Sequence, residues 1–284
     1  MVVISSPANP AVKAARKLVR RHGRAHRAAE FLVEGPQAVS EAAQALGRVF
    51  VAESAEGSHR ELLRAARERG VDVLVVADPL LAELASTVTP QGIVGVATLP
   101  ALDLESVVAG ATLLVVLHQV RDPGNAGTAI RSADAAGADA VILTRGSVDP
   151  RNDKAVRASA GSLFHLPVLD NVAFGDVTLQ CATHGLQVVG LAADGATDHT
   201  QADLAGRVAV VVGNEAHGLP TAVRTACDAV VRVPLHDRPR PGFTATAESL
   251  NLAATVAVVL FEAARQRRTP PHGAARGAPR GPTR

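Results

Sequence analysis

The 284-residue chain contains no tryptophan, no tyrosine, two cysteines and one methionine. Without Trp or Tyr, stacking on a flat ligand falls to phenylalanine, histidine or guanidinium planes. Cys181 and Cys227 lack CxxC spacing, which excludes a structural zinc site and a disulfide framework and fits reduced thiols in the cytoplasm. Hydrophobic residues make up 47%, yet no stretch approaches the ~18 consecutive apolar residues of a membrane span. The N-terminus lacks a signal peptide's apolar block, because Lys13 to Arg27 is basic and polar. Nucleotide fingerprints are missing too. No G-x-G-x-x-G follows a strand, and Leu219-Pro220 stand where a phosphate loop after Gly213 and Gly218 needs Lys-Ser/Thr. No G-x-S-x-G marks a hydrolase nucleophile.

Acidic residues are missing at both ends. Lys13, Arg16, Lys17, Arg20, Arg21, Arg24 and Arg27 lie between residues 11 and 29 without one, at spacings that gather most of them on one helix side. After Glu262 come only Arg265, Arg267, Arg268, Arg276, Arg280 and Arg284. Two basic ends in a chain whose overall net charge is only +2 point to a polyanionic partner.

Strand and helix alternate along the rest. Residues 1–29 form a basic arm, and 30–99 form a small α/β domain. In that domain strands are expected at Phe31–Glu34, Arg48–Ala52, Val71–Ala77 and Gly92–Thr98. Its helices run from Pro36 to about Leu46, from a Ser58/Glu61 capping box to Gly70, and from Asp78-Pro79. Residues 100–110 read as a linker. From 111 to 268 apolar strands recur at Thr112–Leu117, Ala140–Thr144, Gln187–Ala192, Val208–Val212 and Ala229–Val233. Helices are expected from Asn125 to Ala136 and over about 152–160, 174–184, 220–226 and 245–267. Continuous Val/Ile/Leu strands between helices indicate a parallel sheet covered on both faces. Residues 269–284, rich in Pro, Gly and Arg, read as a disordered basic tail.

Three polar stretches sit at strand ends or helix starts: Asn125-Ala-Gly-Thr-Ala-Ile-Arg131, Val211-Val-Gly-Asn-Glu215-Ala-His-Gly218-Leu, and Ser249-Leu-Asn251-Leu-Ala-Ala. Taken singly they are ordinary caps, a surface arginine and a loop carboxylate. The location is favourable, because ligands of open α/β sheets bind outside the carboxyl ends of strands.

In order and content the three stretches resemble the motifs of the SpoU/TrmH family of RNA ribose 2′-O-methyltransferases, within the SPOUT superfamily; the likeness extends more weakly over roughly residues 28–268. It implies an α/β fold: a C-terminal parallel-sheet SPOUT domain with a deep trefoil knot, plus a small N-terminal α/β RNA-binding domain. It implies S-adenosylmethionine held by Leu191, Gly213, Val233 and Leu250, with Asn214 and Leu235 nearby. Arg131 matches the family's essential arginine, with Asn125, Glu215, Ser249 and Asn251 around the reacting groups. Val156-Arg157 through Pro167 shapes the RNA side of the pocket. Members are homodimers, with Arg131 acting across the interface. Structured RNA is the implied partner: 23S rRNA is preferred for the extra N-terminal domain, with tRNA the alternative and an inactive RNA binder of the same fold the second. The stretch Leu235–Glu248, with Arg238 and Arg240, is longer than the family's usual loop and leaves the roles of Leu235 and Ser249 open.

Overall fold

The computed structural model describes residues 2–19, 30–236, 244 and 246–268. Two sheets organise the chain. The N-terminal one is built from β1 (Glu30–Glu34), β2 (Leu46–Ala52), β3 (Asp72–Val76) and β4 (Ile93–Thr98), in the order β1-β4-β2-β3. Strand β4 runs antiparallel to both neighbours, whereas β2 and β3 are parallel. Helices α1 (Pro10–Val19), α2 (Pro36–Glu41), α3 (Arg60–Glu68) and α4 (Asp78–Ala82) cover it.

The larger sheet has seven strands, all parallel: β5 (Leu113–Leu117), β6 (Ala140–Thr144), β7 (Val168–Val172), β8 (Gln187–Leu191), β9 (Thr197–Asp198), β10 (Val208–Val212) and β11 (Ala229–Arg232). Their order is β7-β6-β5-β10-β8-β11-β9. Every residue of β5, β6 and β10 is buried, so these strands read as unbroken apolar runs. The flanking helices are α5 (Leu104–Gly110), α6 (Pro123–Ala136), α7 (Asp153–Ser159), α8 (Phe174–His184), α9 (Thr221–Thr225) and α10 (Leu252–Arg268).

Several expectations change. The stretch read as a linker is helical from Leu104, because Asp103 accepts the Ser106 amide at 2.9 Å as an N-cap and Val108 is fully buried. Helix α2 stops at Glu41, short of Leu46, since Leu46 already pairs with Ala97 of β4 and sheet pairing overrides alanine's helix preference. The Ser58/Glu61 capping box does not form: Ser58 lies in a turn and His59 takes the cap position of α3. Helix α6 begins at Pro123, not Asn125. Asp122 is its cap, its carboxylate accepting the Asn125 amide at 2.8 Å. Helix α10 starts at Leu252 rather than near 245. Strands β7 and β9 had no clear apolar signature, the first mixing Asp170 and Asn171 into its run.

The basic arm is not free over its described part. Ile4 bridges to Val76 at the edge of β3, and α1 buries Val12 and Ala15 in the same cluster as Phe50, Leu80 and Leu81. Arg16 is paired with Glu83, while Lys13 and Lys17 are exposed. Arg20, Arg21, Arg24 and Arg27 lie outside the described residues, as do the tail beyond Arg268 and positions 237–243 of the long loop.

One apolar cluster runs through both sheets. Phe31 of β1 stacks on Phe164 at a centroid distance of 6.0 Å, joining Val33 and Ile93 to Leu163, Ile130 and Leu113. Polar ties close the same seam: His165 lies 2.8 Å from Asp134 and 3.0 Å from Glu41, and Arg157 donates to Ser86 and, at 2.9 Å, to Asp153.

Candidate active site

The strand order reverses between β5 and β10, since β6 and β7 extend the sheet on one side while β8 and β11 extend it on the other. A crevice at the carboxyl ends is expected beside such a switch point. A cleft of 430 Å³ opens there, lined by Leu191 and Ala192 after β8, Val212 and Gly213 after β10, and Val231 and Val233 at β11. Its volume falls within the ~300–1,000 Å³ range of small-molecule sites. Leu235, Ser249, Leu250, Asn251, Leu252 and Thr255 close the other side. All six residues expected to hold a cofactor line this cleft, as do Asn125, Glu215, Ser249 and Asn251.

Hydrogen bonds tie the three polar stretches together. The Glu215 carboxylate accepts backbone N–H groups from Arg121 at 3.2 Å and Asp122 at 3.0 Å, and the Asn125 side-chain amide at 3.3 Å. Burial alone pushes the Glu215 carboxyl up, but these donors, with its own backbone N–H, hold it below its ordinary value. It is therefore ionised at neutral pH. Asn125 Oδ1 accepts Asn251 Nδ2 at 2.9 Å. Asn251 Oδ1 in turn accepts the Ala253 and Ala254 amides at 2.9 and 3.3 Å, capping α10. Glu215 thus pairs with Asn125 rather than with Arg131.

The second stretch needs its glycine. A Cβ on Gly213 would lie 2.2 Å from the Gly218 carbonyl, a backbone clash that no rotamer relieves. The loop closes tightly because Asn214 and Gly218 exchange backbone hydrogen bonds at 3.1 and 2.9 Å, with Gly218 at φ +61°. Asn214 Nδ2 donates to the Gln119 carbonyl at 2.8 Å.

Arg131 stands apart. It lies six residues beyond Asn125 on α6, which at about 100° per residue turns it roughly 120° away around the helix. It is exposed, does not line the cleft, and makes no hydrogen bond or ion pair among the described residues. Arg157 is held between the two sheets by Ser86 and Asp153. Sequence reasoning missed Val212, Val231, Leu252 and Thr255; the first two are apolar ends of strands it had located, so the strand-end rule marks them. The mix of apolar floor, backbone cradle at Gly213 and polar lip of Asn125, Asn214, Glu215, Ser249 and Asn251 suits a ligand that is part flat base and part polar chain.

Comparison with known proteins agrees with this geometry. Residues 112–261 match the model of the SpoU rRNA methylase family, and residues 9–95 match an MRM3-like substrate binding domain. The 23S rRNA (guanosine(2553)-2′-O)-methyltransferase RlmP of Bacillus subtilis is 31% identical over 261 residues, covering 92% of this chain and 98% of its own length. The 23S rRNA (uridine(2479)-2′-O)-methyltransferase of Streptomyces viridochromogenes is 35% identical, over 73% of this chain and 71% of that protein. Among solved structures, the AdoMet-bound rRNA methyltransferase from Sinorhizobium meliloti superimposes with a TM-score of 0.78 at 30% identity, covering 93% of this chain and 97% of that one. The AviRb SpoU methyltransferase of Streptomyces viridochromogenes, in complex with AdoMet, gives 0.78 at 30% identity, over 92% and 99%. With the family model spanning more than half of its length, the chain belongs to the SpoU rRNA methylase family.

Proposed function

We propose that this enzyme holds S-adenosylmethionine against Leu191, Gly213, Asn214, Val233, Leu235 and Leu250, and transfers its methyl group to a ribose 2′-hydroxyl of large-subunit ribosomal RNA. The observation that carries the reading is the Glu215–Asn125–Asn251 chain of hydrogen bonds, which gathers three distant stretches on the lip of one apolar cleft. Bound there, S-adenosylmethionine supplies an already activated methyl group. What remains for the protein is positioning and electrostatics. Asn125, Glu215, Ser249 and Asn251 form the polar lip at which the ribose is placed.

Arg131 orients the hydroxyl through the neighbouring phosphate and stabilises the developing negative charge; a guanidinium offers five N–H donors and no acceptor, so it does not take the proton itself. Since Arg131 does not line its own cleft, the chain works as a homodimer in which a second copy supplies this arginine. An apolar stripe on α10 supports that reading: Val258 and Phe261 are 38% and 46% exposed, and Leu250 beside the cleft is 40% exposed. The trefoil knot belongs to the same reading. It is favoured by the return of α10 onto α6 after β11, and by Arg267 at its end donating to the carbonyls of Leu204, Thr112 and Gly206. The N-terminal domain carries the rest of the RNA, with Lys13 and Lys17 exposed on α1. Free cysteines, together with the absence among the described residues of any helix able to cross a membrane, favour a cytoplasmic setting.

Calorimetric titration with S-adenosylmethionine, followed by incubation of labelled cofactor with 23S rRNA and with tRNA, tests the assignment. Label fixed in a ribose of 23S rRNA alone is the expected result. Label in tRNA alone overturns the substrate, and no binding at millimolar cofactor overturns the site.

A further inference from the structure

Thr144 and His118 are buried polar side chains, 2% and 6% exposed, at the carboxyl ends of β6 and β5. Neither belongs to the three polar stretches. Between them and the cleft stands Gln119, whose φ of +53° puts a non-glycine residue in the left-handed region. Such conformations persist only where the surroundings enforce them, and they gather at functional sites.

The surroundings here are specific. Thr144 Oγ1 accepts the Gln119 amide at 3.1 Å and lies 3.3 Å from His118 Nδ1. With two lone pairs and one proton, the hydroxyl accepts the Gln119 amide whether it donates to Nδ1 or accepts from it. Burial favours the neutral His118 ring by lowering its proton affinity. The Gln119 carbonyl, fixed by this turn, accepts Asn214 Nδ2 at 2.8 Å, and Asn214 lines the cleft. The rest of the β6 exit turn braces the same segment: Ser147 Oγ donates to the Leu117 carbonyl at 3.1 Å and the Val148 amide to the Val120 carbonyl at 2.8 Å. Residues 117–122 are thereby held on one side by the β6 turn and on the other by Asn214 and Glu215.

We propose that Thr144 is a positioning residue for methyl transfer: through the strained Gln119 peptide it fixes Asn214, and with it the 213–218 loop, in the geometry that binds the cofactor. The inference rests on reading the cleft as the S-adenosylmethionine site. It is tested on the full chain by calorimetry, with turnover measured in parallel. Thr144→Val keeps the shape and removes the hydroxyl, and it raises the cofactor Kd about tenfold, as expected for losing one or two hydrogen bonds at a distance. Thr144→Ser restores affinity to within about twofold of the original, by the same hydrogen-bond arithmetic. Asn214→Ala weakens binding similarly, and the Thr144→Val/Asn214→Ala double variant is no weaker than Asn214→Ala alone, the signature of one shared path. Thr144→Cys, with the same expectation as Thr144→Val, serves if the valine variant is not recovered folded. Unchanged affinity in Thr144→Val, failure of serine to rescue, or additive losses each overturn the proposal. Gly213→Ala separates the two readings: binding lost there but intact in Thr144→Val removes Thr144 and leaves the cleft assignment standing.

Discussion

Replacing Asn251 separates two jobs that one side chain performs. Its Oδ1 caps α10 by accepting the Ala253 amide at 2.9 Å, and its Nδ2 donates to Asn125 Oδ1 at 2.9 Å. Asn251→Ala loses both. The cap is worth about 1 kcal/mol and the exposed amide–amide bond about 0.5 kcal/mol. A loss of about 1.5 kcal/mol lowers the unfolding midpoint of a domain this size by roughly 3–6 °C. Asn251→Asp keeps the cap, and a carboxylate suits a helix N-terminus, so stability stays within about 0.5 kcal/mol of the original. The link to Asn125 is then reversed. Asn125 already turns its amide N–H toward Glu215, so its Oδ1 faces the new carboxylate. If it flips, the same oxygen faces Glu215 instead. One carboxylate meets an acceptor either way. The lip at which the ribose is placed is thereby mispaired, and because a misplacement of about 1 Å can cost about 100-fold, methyl transfer slows about 10- to 100-fold. Thermal unfolding and labelled-methyl incorporation into 23S rRNA read the two effects separately. Wild-type turnover in Asn251→Asp, or the same destabilisation in both variants, refutes the reasoning.

Arg131→Ala abolishes methyl transfer yet leaves cofactor affinity within a few-fold, because Arg131 does not line the cleft; parallel loss of both in calorimetry and turnover makes it structural. Gly213→Ala places a Cβ 2.2 Å from the Gly218 carbonyl and forces the loop to move, so calorimetry finds S-adenosylmethionine binding lost while circular dichroism keeps the fold. His165 gives a pH signature. Asp134 first and then Glu41 hold its protonated form, raising its pKa above 6.5. A raised folded pKa means that its contribution to docking the two domains is complete below about pH 6.5 and fades as pH rises through the folded value. Unfolding midpoints recorded from pH 6 to 9 therefore fall more steeply for the original chain than for His165→Gln, and parallel curves contradict the latch.

Much of the site was legible one-dimensionally because each piece follows from local rules. Unbroken Val/Ile/Leu runs locate the buried strands, and what leaves their carboxyl ends is where a parallel sheet binds ligands. That logic marks Gly213, Asn214 and Glu215 at the end of β10 without knowing which strands are neighbours, whereas Leu191 and Val233 were named by the resemblance to the SpoU/TrmH motifs. Asn251 as a cap is equally local, since a short polar side chain ahead of an apolar helical run has one main use. Local rules failed where tertiary pairing set the outcome. Helix α2 ends early because β2 claims Leu46, and residues 104–110 become a helix because Val108 is buried in the cluster shared with Val177 and Cys181 of α8.

The sequence by itself determined the α/β class, the apolar strands, the basic ends and the identity of the polar residues that the cleft presents. Only the tertiary structure decided that Glu215 serves Asn125 and the 121–122 amides, that Arg157 and His165 join the two domains, and that Arg131 does not line its own cleft. The reason is physical. Burial periodicity and capping depend on near neighbours along the chain, whereas hydrogen-bond partners 90 or 126 residues apart, as in Asn125–Glu215 and Asn125–Asn251, are set by strand order.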